Sequence, residues 1–300
     1  MLLSVLMISY NHEKYIREAL LSVLMQQTNF SFEVILSDDC SIDQTDEIIT
    51  EICSQHPSGT AIKYYKQPKN IGMMQNVVFA LRHCTGKYIA VCEGDDYWTD
   101  PLKLQKQVDI LEKEEKYAMV ITNSKVIYDD GTQYEERYEN DYAKNIFTIK
   151  DIINGFMPGT QTILFRNFSS LPDYLAAHPE FYYGDRYIAY FCSLFGDIFL
   201  LPDITAVYRM TGTGVWSVNT PLEKLNKYTR FMNDFHKSLG IPSNDVLNRF
   251  NFNAARASLR YCLKRPKLIM QKPYQKMIKT PWKALDSLDK LKLLLTIFKR

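Results

Sequence analysis

The feature that most constrains this chain is a regular alternation of short apolar runs and helix-like segments over its first 115 residues. The apolar runs predict strands at residues 2–9, 32–36, 61–65 and 88–92. Each is followed by a stretch with apolar residues at helical spacing, and parallel strands need such crossover helices. The alternation therefore predicts a doubly wound α/β domain with a mostly parallel central sheet flanked by helices.

The fourth helix has a strong start signal. Asp100 followed by Pro101 predicts Asp as the N-cap and Pro as the first helical residue, with the helix ending near Lys113. Beyond it the alternation stops, and a helix is expected at 185–195. Strand-like segments are expected at 117–127, 162–165, 198–201 and 206–209.

The C-terminal part differs in both pattern and charge. From Pro221 onward the sequence is typical of helices, so we place a boundary near residue 218, between the α/β domain (1–218) and a helical, basic extension (219–300). Residues 261–300 hold eleven Lys or Arg and two Asp, a net charge of +9 in a chain of net charge +2, which leaves −7 for the remainder. Such a segment predicts contact with an anionic surface.

The extension ends in a basic amphipathic pattern, with apolar residues at helical spacing between Ala284 and Phe298. This is typical of a helix lying in a membrane interface, and packing on the α/β domain explains it equally well. No nucleic-acid recognition motif accompanies the charge, so nucleic acid is not an expected partner. Without a signal-peptide n-region or an 18-residue apolar window, we expect a cytoplasmic protein with peripheral contact to the inner membrane face through 261–300.

Polar clusters end three of the predicted strands: Ser9-Tyr10-Asn11, Ser37-Asp38-Asp39 and Glu93-Gly94-Asp95-Asp96. The carboxyl ends of parallel strands meet at one sheet edge, where ligands bind. Five acidic residues there repel one another unless a cation is present, and Mg²⁺ or Mn²⁺ binds carboxylates together with substrate phosphates. Taken singly, Asp and Gly after a strand are also ordinary turn residues. Together they favour a metal-bound, phosphate-bearing substrate.

The order and spacing of these motifs over residues 3–107 resemble the family 2 glycosyltransferases, which have the GT-A fold. The matching segments are Ser4-Val5-Leu6-Met7-Ile8-Ser9-Tyr10-Asn11, Asp38-Asp39-Cys40-Ser41-Ile42-Asp43-Gln44-Thr45, Asn70-Ile71-Gly72 and the DxD-like Glu93-Gly94-Asp95-Asp96-Tyr97-Trp98. The resemblance implies a metal-dependent, inverting transfer of sugar from a nucleotide-sugar donor, expected to be a UDP-sugar. It also implies a glycan or lipid-linked acceptor in the synthesis of cell-surface polysaccharide such as lipopolysaccharide.

The resemblance also implies roles for the matched positions. The residues expected to contact the nucleotide-sugar are Ser9, Tyr10, Asp39, Asn70, Asp95 and Trp216. Those expected to bind Mn²⁺ or Mg²⁺ are Asp96, Asp95 and Glu93, with Glu93 in the place of the first Asp of the DxD motif. Trp216 suits stacking on a sugar and anchoring of a loop about equally.

An inverting transfer also needs a carboxylate to take the proton of the acceptor hydroxyl. The segment Phe181-Tyr182-Tyr183-Gly184-Asp185-Arg186 is similar to the family's base-bearing segment, which makes Asp185 the expected catalytic base. From local sequence alone, Asp185 fits a helix cap equally well.

Two other functions are weighed against this one. A catalytically inactive sugar-nucleotide- or glycan-binding protein predicts damaged site positions, whereas Asp95, Asp96 and Asp185 are all present. A nucleotidyltransferase predicts an early glycine-rich phosphate loop, and residues 8–14 contain no glycine.

Overall fold

The predicted alternation folds into one mixed ten-stranded sheet with helices packed on it. The computed structural model describes residues 1–128, 133–134, 144–153, 155–178 and 184–211. The predicted extension (219–300), its boundary near residue 218 and Trp216 lie outside the described residues. Met1–Ile152 and Phe156–Thr211 form one compact unit.

The strands occupy ten segments along the described chain. They are β1 (Leu3–Ser9), β2 (Phe32–Asp38), β3 (Ile62–Lys66), β4 (Tyr88–Val91), β5 (Tyr97–Trp98), β6 (Tyr117–Tyr128), β7 (Gln133–Tyr134), β8 (Ile146–Phe147), β9 (Leu164–Arg166) and β10 (Asp197–Met210). The α-helices are α1 (Ile16–Leu24), α2 (Thr45–Gln55), α3 (Met73–His83), α4 (Lys103–Lys113), α5 (Ile149–Ile153), α6 (Leu171–Ala176) and α7 (Gly184–Ser193). Among these described helices, none is long and apolar enough to span a membrane.

The strand order is β3-β2-β1-β4-β9-β6-β10-β5, with β7 paired to β6 and β8 to β10. The first four strands are parallel, as the sequence predicts. β9 enters between β4 and β6 antiparallel to both, and β6 and β10 are again parallel. The chain reverses its direction of winding between β1 and β4, and this switch point is where open α/β sheets bind ligands.

The core lies on both faces of the central strands. All seven residues of β1 are buried, which explains its nearly continuous apolar sequence. Helix α1 packs Leu20 and Val23 into the same core, and β4 is buried along its whole length. The buried centre holds the carboxyl ends of β1, β2 and β4 in fixed register.

Two local predictions need correction. The fourth helix begins at Lys103 and not at Pro101. Asp100 still closes the turn that leads into it, since its Oδ1 accepts the N–H of Leu102 at 2.8 Å, and Gln26 Oε1 accepts the N–H of Leu104 at 3.1 Å.

The two strands predicted at 198–201 and 206–209 are one strand, β10. Register shifts against β6 lie between Leu201 and Ile204 and between Ile204 and Ala206. They follow Pro202, whose missing N–H interrupts the ladder.

Candidate functional site

The loops that follow β1 and β2 are hydrogen-bonded to each other. The N–H of Asn11 donates to Ser41 Oγ at 2.8 Å, and Asn11 Oδ1 accepts the N–H of Ile42 at 3.0 Å. The N–H of His12 donates to Thr45 Oγ1 at 2.8 Å. These bonds join the two loops into one edge at the carboxyl end of the sheet.

Asp38 is the buried anchor of that edge. Its Oδ1 accepts the hydroxyls of Ser9 at 2.8 Å and Ser41 at 2.5 Å, and its Oδ2 accepts the N–H of Ser41 at 2.9 Å. Sequence reasoning gave Asp38 no role of its own. Ser9, predicted to contact the nucleotide, is 2% exposed and uses its hydroxyl on Asp38. A ligand contact by Ser9 stays a prediction.

Asp39 fastens the loop after β3. Its Oδ1 accepts the N–H of Ile71 at 2.7 Å, and its Oδ2 accepts the N–H of Gly72 at 2.9 Å. Gly72 has a φ of 88°, a left-handed conformation that glycine adopts without a steric penalty. Asn70, which also accepts that N–H at 3.1 Å, is exposed. Asp39 and Asn70 therefore lie in one hydrogen-bonded group.

Tyr10 lies at the open end of β1 and is 43% exposed. It directly follows Ser9, whose carbonyl accepts the N–H of Asp39 at 2.9 Å. The structure thus brings Tyr10 to the same edge as Asp39. An exposed ring beside a fixed polar loop suits stacking on a flat ligand.

The segment Glu93–Asp96, here called the acidic loop, follows β4 and lies against the β1 end. The N–H of Gly94 donates to the carbonyl of Ile8 at 2.9 Å. A Cβ added at Gly94 would lie 2.8 Å from His12 Nδ1 and 3.1 Å from Ser9 Cβ. Glycine is therefore needed for the loop to approach this closely.

Asp96 is fully buried, and within the described residues only one of its two carboxylate oxygens accepts a hydrogen bond. Its Oδ1 accepts the N–H of Arg209 at 2.8 Å, while its Oδ2 has no hydrogen-bond partner within the described part of the chain. Burial, followed by the charges of Asp95 and Glu93, raises the pKa of Asp96 well above its usual range.

Asp95 and Glu93 are the more accessible carboxylates of the acidic loop, since both are partly exposed. The side chain of Asp95 is 20% exposed, and its Oδ2 lies 3.9 Å from His12 Nε2. Among the described residues, no group of three or more His, Cys, Asp or Glu side chains is arranged to hold a metal ion.

The donor set nevertheless fits a hard divalent ion. Two partly exposed carboxylates and one buried carboxylate oxygen that has no partner among the described residues are oxygen ligands of the kind that Mg²⁺ and Mn²⁺ prefer. A cation at the acidic loop would also offset the repulsion that raises the Asp96 pKa. The ligand roles of Glu93, Asp95 and Asp96 stay predictions.

Arg209 belongs to this site and was not singled out from the sequence. Its Nη1 donates to the main-chain carbonyl of Asp95 at 2.9 Å, and its Nη2 forms an ion pair with Glu18. β10 reaches the acidic loop because its residues pair with β5, which follows the loop directly. In the sequence, Arg209 is the last residue of the strand-like segment predicted at 206–209.

Asp185 lies in the first turn of α7 and is partly exposed. Its Oδ1 accepts the N–H of Arg186 at 2.8 Å. A Cβ added at the preceding Gly184 would lie 3.0 Å from the sulfur of Met74, so α7 begins against the first turn of α3. That turn follows Gly72, so the start of α7 lies near the loop after β3 that Asp39 binds. The assignment of Asp185 as catalytic base stays a prediction.

Comparison with known proteins agrees with this architecture. The family model described as "Glycosyl transferase family 2" matches residues 4–171, more than half of the chain. The chain therefore belongs to glycosyltransferase family 2, as its motifs predict.

The chain is also similar to individual proteins along much of its length. The uncharacterised protein Rv1520 of Mycobacterium tuberculosis is 36% identical over 214 residues, which cover 71% of this chain and 60% of that protein. The match thus spans about three fifths of the relative's length.

Two solved structures share the GT-A fold of this chain. The structure of S. aureus TarS 1-349 with UDP-GlcNAc has a TM-score of 0.58 at 18% identity and covers 96% of this chain and 93% of that chain. The mannosyltransferase PcManGT of Pyrobaculum calidifontis, solved with GDP-Man and Mn²⁺, has a TM-score of 0.62 at 16% identity. Its match covers 99% of this chain and 88% of that chain.

Proposed function

We propose that this protein is a metal-dependent, inverting glycosyltransferase that moves a sugar from a UDP-sugar to a glycan or lipid-linked acceptor in cell-surface polysaccharide synthesis. The observation that carries the proposal is the under-compensated charge of the acidic loop at the switch point of the sheet. A cation bound with a diphosphate is the ligand that such a site accommodates.

The donor is expected to lie across the carboxyl ends of β1, β2 and β4. Tyr10 and the loop held by Asp39 would take the nucleoside, with Asn70 at the rim and Asp95 towards the ribose and phosphates. Binding of UDP-GlcNAc by TarS and of GDP-Man by PcManGT supports a nucleoside diphosphate sugar as donor class. Trp216, outside the described residues, is proposed as a further contact.

The chemistry needs charge stabilisation and a base. A bound Mn²⁺ or Mg²⁺ supplies Lewis-acid stabilisation of the leaving diphosphate. Glu93, Asp95 and Asp96 would hold that ion. Asp185 would accept the proton of the acceptor hydroxyl as it attacks the anomeric carbon from the opposite face.

The first test is transfer or slow hydrolysis of UDP-sugars and GDP-mannose, with Mn²⁺ and with EDTA. We expect turnover of a UDP-sugar that EDTA abolishes. Asp185→Asn is expected to keep UDP binding and to lose at least about a hundredfold in turnover, the usual weight of a general base. Asp173→Asn is the matched control, because that side chain is an 80% exposed acid on the neighbouring helix α6.

The outcomes separate the alternatives. Metal-dependent binding of UDP without turnover of any donor would indicate a sugar-nucleotide-binding protein. Turnover that persists in EDTA would contradict the metal requirement, and full turnover by Asp185→Asn would contradict the base.

We also propose that residues 261–300 bring the protein to the inner membrane face, where a lipid-linked acceptor would lie. The supporting observation is the net charge of +9 in that segment. Co-sedimentation of the full chain with vesicles containing anionic lipid, but not with neutral vesicles, is the expected result.

A further inference from the structure

We propose that Arg209 is a positioning residue that holds the acidic loop in the geometry needed for donor binding, and that Glu18 orients Arg209 for this task. The inference rests on the proposed function, since its consequence is measured as binding of a metal and a nucleoside diphosphate.

Arg209 contacts the acidic loop at two successive residues. Its own N–H donates to Asp96 Oδ1 at 2.8 Å, and its Nη1 donates to the carbonyl of Asp95 at 2.9 Å. The first bond uses the main-chain N–H, so substitution by Met or Lys leaves its donor in place. The second fixes the peptide that follows Asp95, and so limits where the Asp95 carboxylate can point.

The guanidinium is held in place before any ligand arrives. It lies 4.4 Å from the ring centroid of Tyr97 and 5.3 Å from that of Tyr15, and it pairs with Glu18. Arg209 is 9% exposed, whereas the side chain of Glu18 is 58% exposed. A planar fork fixed by two rings and a carboxylate loses little freedom when it forms its hydrogen bonds.

Little of the guanidinium is open to a ligand, so it acts through the loop. A purely electrostatic role and a positioning role predict opposite results. Loss of a positive charge alone would attract Mn²⁺ more strongly, whereas loss of the loop geometry would weaken its binding.

The test compares the full-length chain with four variants: Arg209→Met, Arg209→Lys, Glu18→Gln and the control Arg17→Met. Arg17 is the residue before Glu18 on α1 and pairs with Glu51 of α2 at 2.6 Å, so the control also breaks an Arg–Glu pair, but an exposed one that leaves Arg209 and its partners unchanged. Binding of UDP and of GDP is measured by calorimetry with and without Mn²⁺, and thermal unfolding reports the folded state.

We expect both Arg209 variants to bind Mn²⁺ with UDP about tenfold more weakly, as is usual when a residue supporting metal ligands is lost. Lys is expected not to rescue, because it lacks the planar fork. Glu18→Gln should show a smaller loss, and Arg17→Met none. If Arg209→Met does not fold, Glu18→Gln carries the test, since its exposed side chain is not needed for the core.

A folded Arg209→Met with unchanged or tighter Mn²⁺-dependent binding would overturn the inference, as would rescue by Lys or a Glu18→Gln variant equal to wild type. If wild type shows no Mn²⁺-dependent binding of either nucleotide, the proposed function fails and the inference falls with it. If wild type binds and all variants bind equally, only the inference fails.

Discussion

The loop after β2, which begins with Asp39, and the acidic loop after β4 leave the sheet on either side of β1. They differ in how many hydrogen bonds their carboxylates accept. Asp38 accepts three hydrogen bonds and Asp39 accepts two, from hydroxyls and main-chain N–H groups. In the acidic loop, Asp96 accepts one bond from Arg209 and leaves an oxygen without a partner among the described residues. The carboxylates of the loop after β2 are satisfied by protein hydrogen bonds, whereas a bound cation would stabilise those of the acidic loop.

Asp38→Asn should lower the free energy of unfolding more than the other substitutions proposed below. The amide would turn one acceptor into a donor that faces a hydroxyl or an N–H, and would remove the charge that strengthens the remaining bonds. We expect a loss of about 3 kcal/mol in the free energy of unfolding. Urea denaturation measures it, with the exposed Asp173→Asn as control. A loss below about 1 kcal/mol would mean that the loop after β2 is not held by its hydrogen bonds.

Lys103 sharpens the comparison, because it is a buried cation close to the strand that carries the acidic loop. Its Nζ donates to Gln107 Oε1 at 2.5 Å and lies 4.5 Å from the ring of Trp98. Burial lowers the pKa of Lys103 to about 7. Near neutral pH it is therefore partly uncharged, because burial disfavours its ammonium form.

The resulting prediction concerns pH. The unfolded state keeps Lys103 protonated above the folded pKa, so wild type should gain stability relative to Lys103→Met as the pH rises from 7 towards 10. A change of about 2 kcal/mol between pH 7 and 9.5 is expected in the difference between the two unfolding free energies. A difference that stays constant over this range would show that Lys103 is charged in the folded protein at neutral pH.

The sequence predicts the parallel half of the sheet well, because that half is encoded locally. β1 is nearly continuous in apolar residues and β4 is apolar along its length, and each strand is followed by the helical spacing that a crossover requires. The sequence predicts less of the other half of the sheet, in which parallel and antiparallel strands are mixed. β9 has three residues and pairs with β4 and β6 far away in the chain, so no local pattern specifies its antiparallel direction.

The candidate site divides in the same way. The position of the carboxylates at strand ends followed from the alternation, and Asp39 and the acidic loop do lie at one edge. Their partners did not follow. The use of Asp39 on the N–H groups of Ile71 and Gly72, and the contact of Arg209 with Asp95, depend on loops brought together by folding.

Asp96→Asn tests whether the buried carboxylate of the acidic loop lowers the stability of the fold. Because the pKa of Asp96 is raised, the folded state of wild type loses stability as the pH rises above the unfolded value near 4. The uncharged amide avoids this loss and can still accept the Arg209 N–H. In EDTA at pH 7 we expect the variant to gain about 1 kcal/mol, with the gain vanishing near pH 4.

The measurement is denaturation of both proteins at the two pH values. Added Mn²⁺ should reverse the order at pH 7, because only wild type gains stability from a bound ion. A loss as large as that of Asp38→Asn would mean that the two loops are equally dependent on their carboxylates.

The smallest expected effect tests whether the loop after β2 stores strain. Cys40 has a φ of 62°, in the left-handed region that costs a residue with a Cβ about 1 kcal/mol. The bonds that Asp39 accepts before it, and those that Ser41 donates to Asp38 after it, hold it there. Glycine removes the steric cost but adds freedom to the unfolded chain, so Cys40→Gly should gain about 0.5 kcal/mol, or about 1–2 °C in Tm. Cys40→Ala keeps the Cβ and is the matched control. An equal gain in that variant would trace the effect to loss of the thiol. Only a gain confined to the glycine variant shows that the loop after β2 holds its backbone under strain.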